Sequence, residues 1–195
     1  MKKYLILILT VFLLAACSDK DETKNENGNE ENTTQTGGQV DTEEQADEKE
    51  DKIYGIGETA TITSDLYDFD YEVTVNDFQA VDEVDGTSIY DYVLGLEEED
   101  PTRFAVVDVT IKNISDEAYV PSEMFSANFS NVDEGAGYTS EPEFSPELDE
   151  ELAPGDEINS KIVYTHDFDG EEAYWFKYEI MSDEETIFEL PNPGK

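Results

Sequence analysis

Short runs of alternating apolar and polar residues fill residues 53–190. A period of two is typical of strands that bury one face. In the clearest run, residues 103–113, Val107 and Val109 alternate with polar neighbours, and Gly, Pro, Asn and Asp residues separate the runs. The pattern predicts about seven strands, at residues 59–63, 71–81, 103–113, 125–130, 158–164, 174–180 and 186–190.

Residues 88–96 depart from the strand pattern. Ile89 and Tyr92 fall on one helical face, and Ser88 has capping-box-like spacing to Asp91. We therefore expect a short helix within a long connection between strands. The predicted fold class is all-β: an immunoglobulin-like antiparallel β-sandwich with a short helical insert. The chain has a single cysteine, so it lacks the cysteine pair of antibody-type domains.

The same alternation predicts which side chains meet between the two sheets. Apolar residues at every second position of the runs face inward. The expected core residues are Val107, Val109, Ile111, Phe125, Phe129, Ile162 and Phe176.

Residues 1–16 have the form of a secretory signal. Lys2 and Lys3 precede an apolar segment, residues 4–16, which is shorter than the roughly 20 residues of a membrane-spanning helix. The sequence Leu-Ala-Ala-Cys that ends at Cys17 resembles the bacterial lipobox, in which the cysteine thiol carries a lipid. This resemblance implies a protein held by Cys17 on the extracellular face of the cell membrane; the alternative is an unused cysteine in an ordinary signal peptide.

Residues 17–52 follow as an acidic linker. From residue 18 onward the only hydrophobic residues are Val40 and Ala46, and thirteen acids face four lysines. Such a segment buries too little apolar surface to offset the entropy of ordering. We expect a disordered stalk between the anchor and a domain at residues 53–195.

The charge of the chain limits its partners. The formal net charge is −39, and residues 53–195 hold 37 acids and five bases. Nucleic-acid binding requires basic surface to neutralise phosphates, so the charge excludes it. Cations on the acidic surface are a possible partner.

Catalytic and cofactor motifs are sparse. His166 is the only histidine and is expected at the surface, and no zinc, phosphate-loop or serine-elbow pattern is present. We expect no cofactor. Acidic loops before Gly86 and Gly170 offer oxygen ligands for calcium, although no complete calcium loop occurs and the alternative is solvated loops. The candidate calcium ligands are Asp82, Asp85, Asp167 and Asp169.

Trp175 is the candidate partner-binding residue. It alternates with Tyr174 and Phe176 and so points away from the predicted core. An exposed tryptophan can anchor a partner. The alternative is that the predicted helix at residues 88–96 covers it.

Two segments carry a resemblance to a known family. Residues 104–113, FAVVDVTIKN, and the stretch LAPGDE followed by KIVY resemble the core strand and the Pro-Gly turn of the family called domain of unknown function 4352. The resemblance covers residues 53–190 and implies an immunoglobulin-like protein, secreted or lipid-anchored in Gram-positive bacteria. That family has no established catalytic residues to transfer, and the insert at residues 82–102 and the extreme acidity depart from its pattern.

The function favoured by these features is a non-catalytic binding module at the bacterial cell surface, with a protein or envelope ligand. The alternative is a cation-dependent or hydrolytic enzyme of the cell envelope that uses clustered carboxylates.

Overall fold

The computed structural model describes residues 53–124, 127–132, 134–180 and 185–195. The predicted signal (1–16), the predicted linker (17–52) and Phe125 lie outside the described residues. Within the described ranges, no helix is both long and apolar enough to cross a membrane.

The described residues form eleven strands, two one-turn α-helices and two 3₁₀ helices. The helices are α1 (Ile89–Tyr92), α2 (Pro121–Met124) and the 3₁₀ helices Pro142–Phe144 and Pro146–Asp149. The strands are β1 (Ile53–Tyr54), β2 (Thr59–Ser64), β3 (Phe69–Val81), β4 (Glu83–Val84), β5 (Thr87–Ser88), β6 (Thr102–Asn113), β7 (Ala127–Asn131), β8 (Tyr138–Thr139), β9 (Glu157–Asp167), β10 (Ala173–Tyr178) and β11 (Thr186–Pro191).

Two sheets pack face to face. One has five strands in the order β1-β11-β10-β7-β8, and the other has four in the order β2-β3-β6-β9. The pairs are antiparallel except β1 with β11, which is parallel. The predicted antiparallel β-sandwich is confirmed. Each of the seven predicted strands corresponds to an observed one, and the four additional strands have two residues each, too few to show alternation.

The core between the sheets follows from the alternation of side chains. Val75 and Val109 are in register on β3 and β6, and both are buried. After Val75 a β-bulge inserts Asn76, so the inward position shifts by one and Phe78 is buried. Of the predicted core residues that the structure describes, all are buried: Val107, Val109, Ile111, Phe129, Ile162 and Phe176.

A second apolar cluster lies on the outer face of the four-stranded sheet. Phe104 and Val106 of β6 point outward and are nevertheless buried, because the insert at residues 82–102 supplies Ile89 against them. Phe144 closes the cluster, with its ring 5.3 Å from that of Phe104. The unbroken apolar run at the start of β6 is therefore explained by burial on both faces.

The predicted helix at residues 88–96 is wrong in length. Ser88 caps α1 by accepting a hydrogen bond from the Tyr90 amide at 3.4 Å, but the helix ends after one turn. Val93 is extended and Gly95 has a φ of 85°, which glycine adopts without the steric cost of a side chain. Helical periodicity identified the correct apolar face, since Leu96 still packs against the outer cluster.

Positive φ angles explain two further local features, a hairpin turn and the end of a strand. Asp85 and Gly86 both have positive φ and join β4 to β5 as a tight hairpin turn. The strand predicted to reach Ile180 ends at Tyr178 instead, because Glu179 takes a left-handed conformation with a φ of 55°.

Candidate functional site

Trp175 lies on the outer face of the five-stranded sheet. Its register neighbours on β7 and β11 are Ser130 and Glu189. The side chain is partly exposed. The alternative that residues 88–96 cover Trp175 is wrong, because that segment packs on the outer face of the other sheet, against Phe104.

Lys177 shares this outer face and is almost fully buried, with 1 % of its surface exposed. Its ammonium group donates hydrogen bonds to the carbonyls of Glu134, at 2.5 Å, and Gly135, at 3.4 Å. A carboxylate oxygen of Glu185 lies 3.7 Å away, and the Trp175 ring centroid lies 5.7 Å from the ammonium nitrogen. The lysine therefore binds the chain's own loop and is withdrawn from solvent.

The loop before β8 lies against part of the outer face, where it accepts the hydrogen bonds of Lys177. Asn128 and Ser130 on β7 also point outward and are buried. Gly137 permits the close approach, since an added Cβ would lie 2.8 Å from the Phe129 carbonyl oxygen. Sequence alternation alone assigned these residues to solvent because it does not show where a distant loop folds back.

Part of this outer face, beside Glu189 and Pro191, is open. Ile53 and Ile56 expose 47 % and 41 % of their surfaces, and Glu189 and Pro191 are exposed beside them. A groove of about 300 Å³ is lined by Ile53, Tyr54, Gly55, Ile56, Glu189 and Pro191. We call the set Ile53, Ile56, Trp175, Glu189 and Pro191 the Trp175 face.

Ion pairs hold two of the candidate calcium ligands. Asp82 pairs with Arg103, and Asp85 pairs with Lys161 at 2.5 Å. The two carboxylates thus bind different basic side chains of the protein.

The second acidic loop differs in its contacts. Asp167 accepts a hydrogen bond from the Thr102 hydroxyl at 2.5 Å, and Asp169 lies exposed beyond it. Among the residues that the structure describes, no group of three or more His, Cys, Asp or Glu side chains is placed to hold a metal ion.

Each of the five bases in residues 53–195 has an acidic partner. Besides the two pairs above, Lys112 lies 3.7 Å from Glu72, and Lys195 lies 2.5 Å from Glu172. The fifth is Lys177, beside Glu185. The remaining acids, which greatly outnumber these bases, give the surface its negative field.

His166 is buried, with 4 % of its surface exposed, so the expectation of a surface histidine is wrong. It lies on β9 and its Nε2 is 3.1 Å from Oδ1 of Asn131. Burial lowers the pKa of His166, which favours the neutral ring. Four aromatic rings surround it at centroid distances of 5.0–5.6 Å: Phe129, Tyr138, Phe168 and Tyr174.

The two-sheet architecture and its core define a β-sandwich domain. Residues 54–186 match the profile of a family described as a domain of unknown function, DUF4352. The chain belongs to this family, as its sequence resemblance implied.

Several solved structures are similar to the chain. A conserved hypothetical protein from Bacillus anthracis is 19% identical, with a TM-score of 0.46 over 68% of this chain and 94% of that one. An uncharacterised β-sandwich protein from Clostridium difficile 630 is 16% identical, with a TM-score of 0.47 over 73% and 95%. A secreted protein from Mycobacterium tuberculosis, MPT63, is 12% identical, with a TM-score of 0.45 over 73% and 98%. No curated protein matches the chain.

Proposed function

We propose that this protein is a lipid-anchored, non-catalytic binding module on the extracellular face of the bacterial cell membrane. Cys17 carries the lipid, the acidic residues 17–52 act as a stalk, and the β-sandwich binds a protein or envelope ligand. The observation that carries the proposal is the open Trp175 face, which combines a partly exposed tryptophan with exposed isoleucines. Aromatic side chains flanked by apolar surface are enriched at binding hot spots.

The contrast between the two outer faces supports this assignment. The chain's own insert covers the part of the four-stranded sheet where Ile89 and Phe104 are fully buried, and the rest of that outer face exposes polar residues such as Thr59, Thr61 and Asn159. On the five-stranded sheet, the exposed part of the outer face beside Glu189 carries apolar side chains instead. This open part contains the groove beside Glu189 and offers a partner an apolar surface.

The contacts of the acidic candidates also support binding over catalysis. Asp82 and Asp85 are engaged in ion pairs on the insert, and neither of them lines the groove beside Glu189. A glycosidase-type site, for example, needs two carboxylates that converge on one cleft.

Site-specific photocrosslinking on intact cells tests the proposal. A photoreactive amino acid replaces Ile56 on the Trp175 face or, as the matched control, Leu94, which is 95 % exposed on the insert. We expect a discrete crosslinked partner from position 56, none from position 94, and loss of the product when Trp175→Ala is added. Equal crosslinking from both positions would contradict the proposal.

A further inference from the structure

We infer that the Trp175 face binds a basic peptide segment, with a lysine or arginine side chain seated in the groove beside Glu189. This inference rests on the proposed function and specifies the chemistry of the partner. The groove, its charge and the surroundings of Trp175 each contribute to it.

The groove combines apolar walls with one carboxylate. Ile53, Ile56 and Pro191 provide the apolar surface, and Glu189 is the acidic residue among its lining. Lysine and arginine pack their methylene stems along apolar surface and keep the charged group in polar surroundings. The lining of this groove therefore matches both parts of such a side chain.

The position of Trp175 adds a second element of recognition. Trp175 is the register neighbour of Glu189, so the indole lies beside the carboxylate on the same face. An indole face attracts a cation within about 6 Å. The Lys177 ammonium group, 5.7 Å from the ring centroid, shows that this indole already contacts one cation.

Charge decides between the possible occupants. A second copy of the domain brings 37 acids and five bases, and the chain's own residues 18–52 bring thirteen acids and four lysines, so both are repelled. Lys177, which lies on this outer face, is buried, whereas Lys112 pairs with Glu72 of β3 and Lys161 pairs with Asp85 of the insert. A basic segment is the occupant that this field attracts.

Trp175 is the only tryptophan in the chain, so its fluorescence reports on this face alone. The full chain in nonionic detergent is titrated with an oligolysine peptide and with the same peptide acetylated on every lysine, which keeps the stem and removes the charge. We expect a saturable change in Trp175 fluorescence with oligolysine only. Glu189→Gln should weaken binding roughly threefold, the size expected for one exposed ion pair.

Glu98→Gln is the matched control, because it removes one exposed acid from the insert on the opposite side. This variant should bind oligolysine as the unmodified chain does. Equal weakening by Glu98→Gln and Glu189→Gln, or binding without a change in Trp175 fluorescence, would overturn the assignment.

The two proposals fail in different ways. If position 56 crosslinks a partner on cells but acetylated and unmodified peptides bind equally, the basic partner is wrong and the binding face stands. If position 56 crosslinks nothing and the fluorescence does not change, both proposals fail.

Discussion

Tyr71 of the four-stranded sheet donates a hydrogen bond at 2.9 Å to a carboxylate oxygen of Glu179, which directly follows β10 of the five-stranded sheet. The contact joins the two sheets at one end of the sandwich. Burial raises the pKa of Tyr71, so its hydroxyl stays protonated and remains a donor. Burial is also the largest cause of the raised pKa of Glu179, and the bond from Tyr71 opposes it in part.

The raised pKa of Glu179 predicts a pH-dependent stability. The folded state binds the proton more tightly than the unfolded state, so stability falls as pH rises from the unfolded pKa through the folded one. Glutamine keeps an acceptor for Tyr71 without the partly buried charge. We expect Glu179→Gln to be more stable than the unmodified chain at neutral pH and similar to it near about pH 4. Urea unfolding at both pH values measures this, and a variant that is less stable at neutral pH would contradict it.

Substitution of the core residue Val109 should be among the most destabilising in the chain. Val109 is buried on β6, and Val109→Asp places a charge between the sheets without a partner. We expect a loss of more than about 4 kcal/mol, comparable to the whole stability of many domains. Asn159→Asp is the control, because residue 159 is exposed on the neighbouring strand β9 and still accepts from Thr110. Circular dichroism during thermal unfolding compares the two variants; similar stability would show that the Val109 position is not enclosed.

Local periodicity accounted for the inward residues and missed burial caused by distant segments. Val107 and Phe176 could be assigned because each alternates with polar neighbours and packs between the sheets. The burial of Lys177 and His166 could not be predicted in this way, since the segments that enclose them come from other parts of the chain. One signal did exist for the outer cluster: four consecutive apolar residues from Phe104 already indicated a strand buried on both faces.

The buried imidazole of His166 predicts a loss of stability in mild acid. Burial lowers its folded pKa, and the charges of Asp167, Glu134 and Asp169 offset this only in part. The unfolded state therefore binds more protons below about pH 6.5, so the free energy of unfolding falls as pH decreases through that value. Since His166 is the only histidine, His166→Gln should flatten the dependence between about pH 7 and pH 5. Urea unfolding at several pH values measures this. If the free energy of unfolding changed equally with pH in His166→Gln and in the unmodified chain, this role of His166 would be excluded.

Lipidation of Cys17 is a prediction of the Leu-Ala-Ala-Cys sequence alone, since Cys17 lies outside the described residues. Cells grown with a fatty-acid analogue should label the unmodified protein, and Cys17→Ser should remove the label and release the protein from the membrane fraction. Ser18→Ala, which leaves the thiol in place, serves as the control. Equal labelling of Cys17→Ser would disprove the anchor.

The excess of acids predicts that salt stabilises the domain. With 37 acids against five bases, like charges repel in the compact state, and the five ion pairs neutralise only a few of them. The Debye length falls from about 8 Å at 0.15 M salt to about 3 Å at 1 M, so added NaCl screens neighbouring carboxylates. We expect Tm to rise smoothly with NaCl. At equal ionic strength, calcium and magnesium should raise Tm by the same amount. A specific calcium site at Asp82–Asp85 or at Asp167–Glu172 would instead give saturable stabilisation at low calcium that follows RT ln(1 + [L]/Kd). A Tm that does not move between roughly 0.05 and 2 M NaCl would show that repulsion does not limit the stability of this domain.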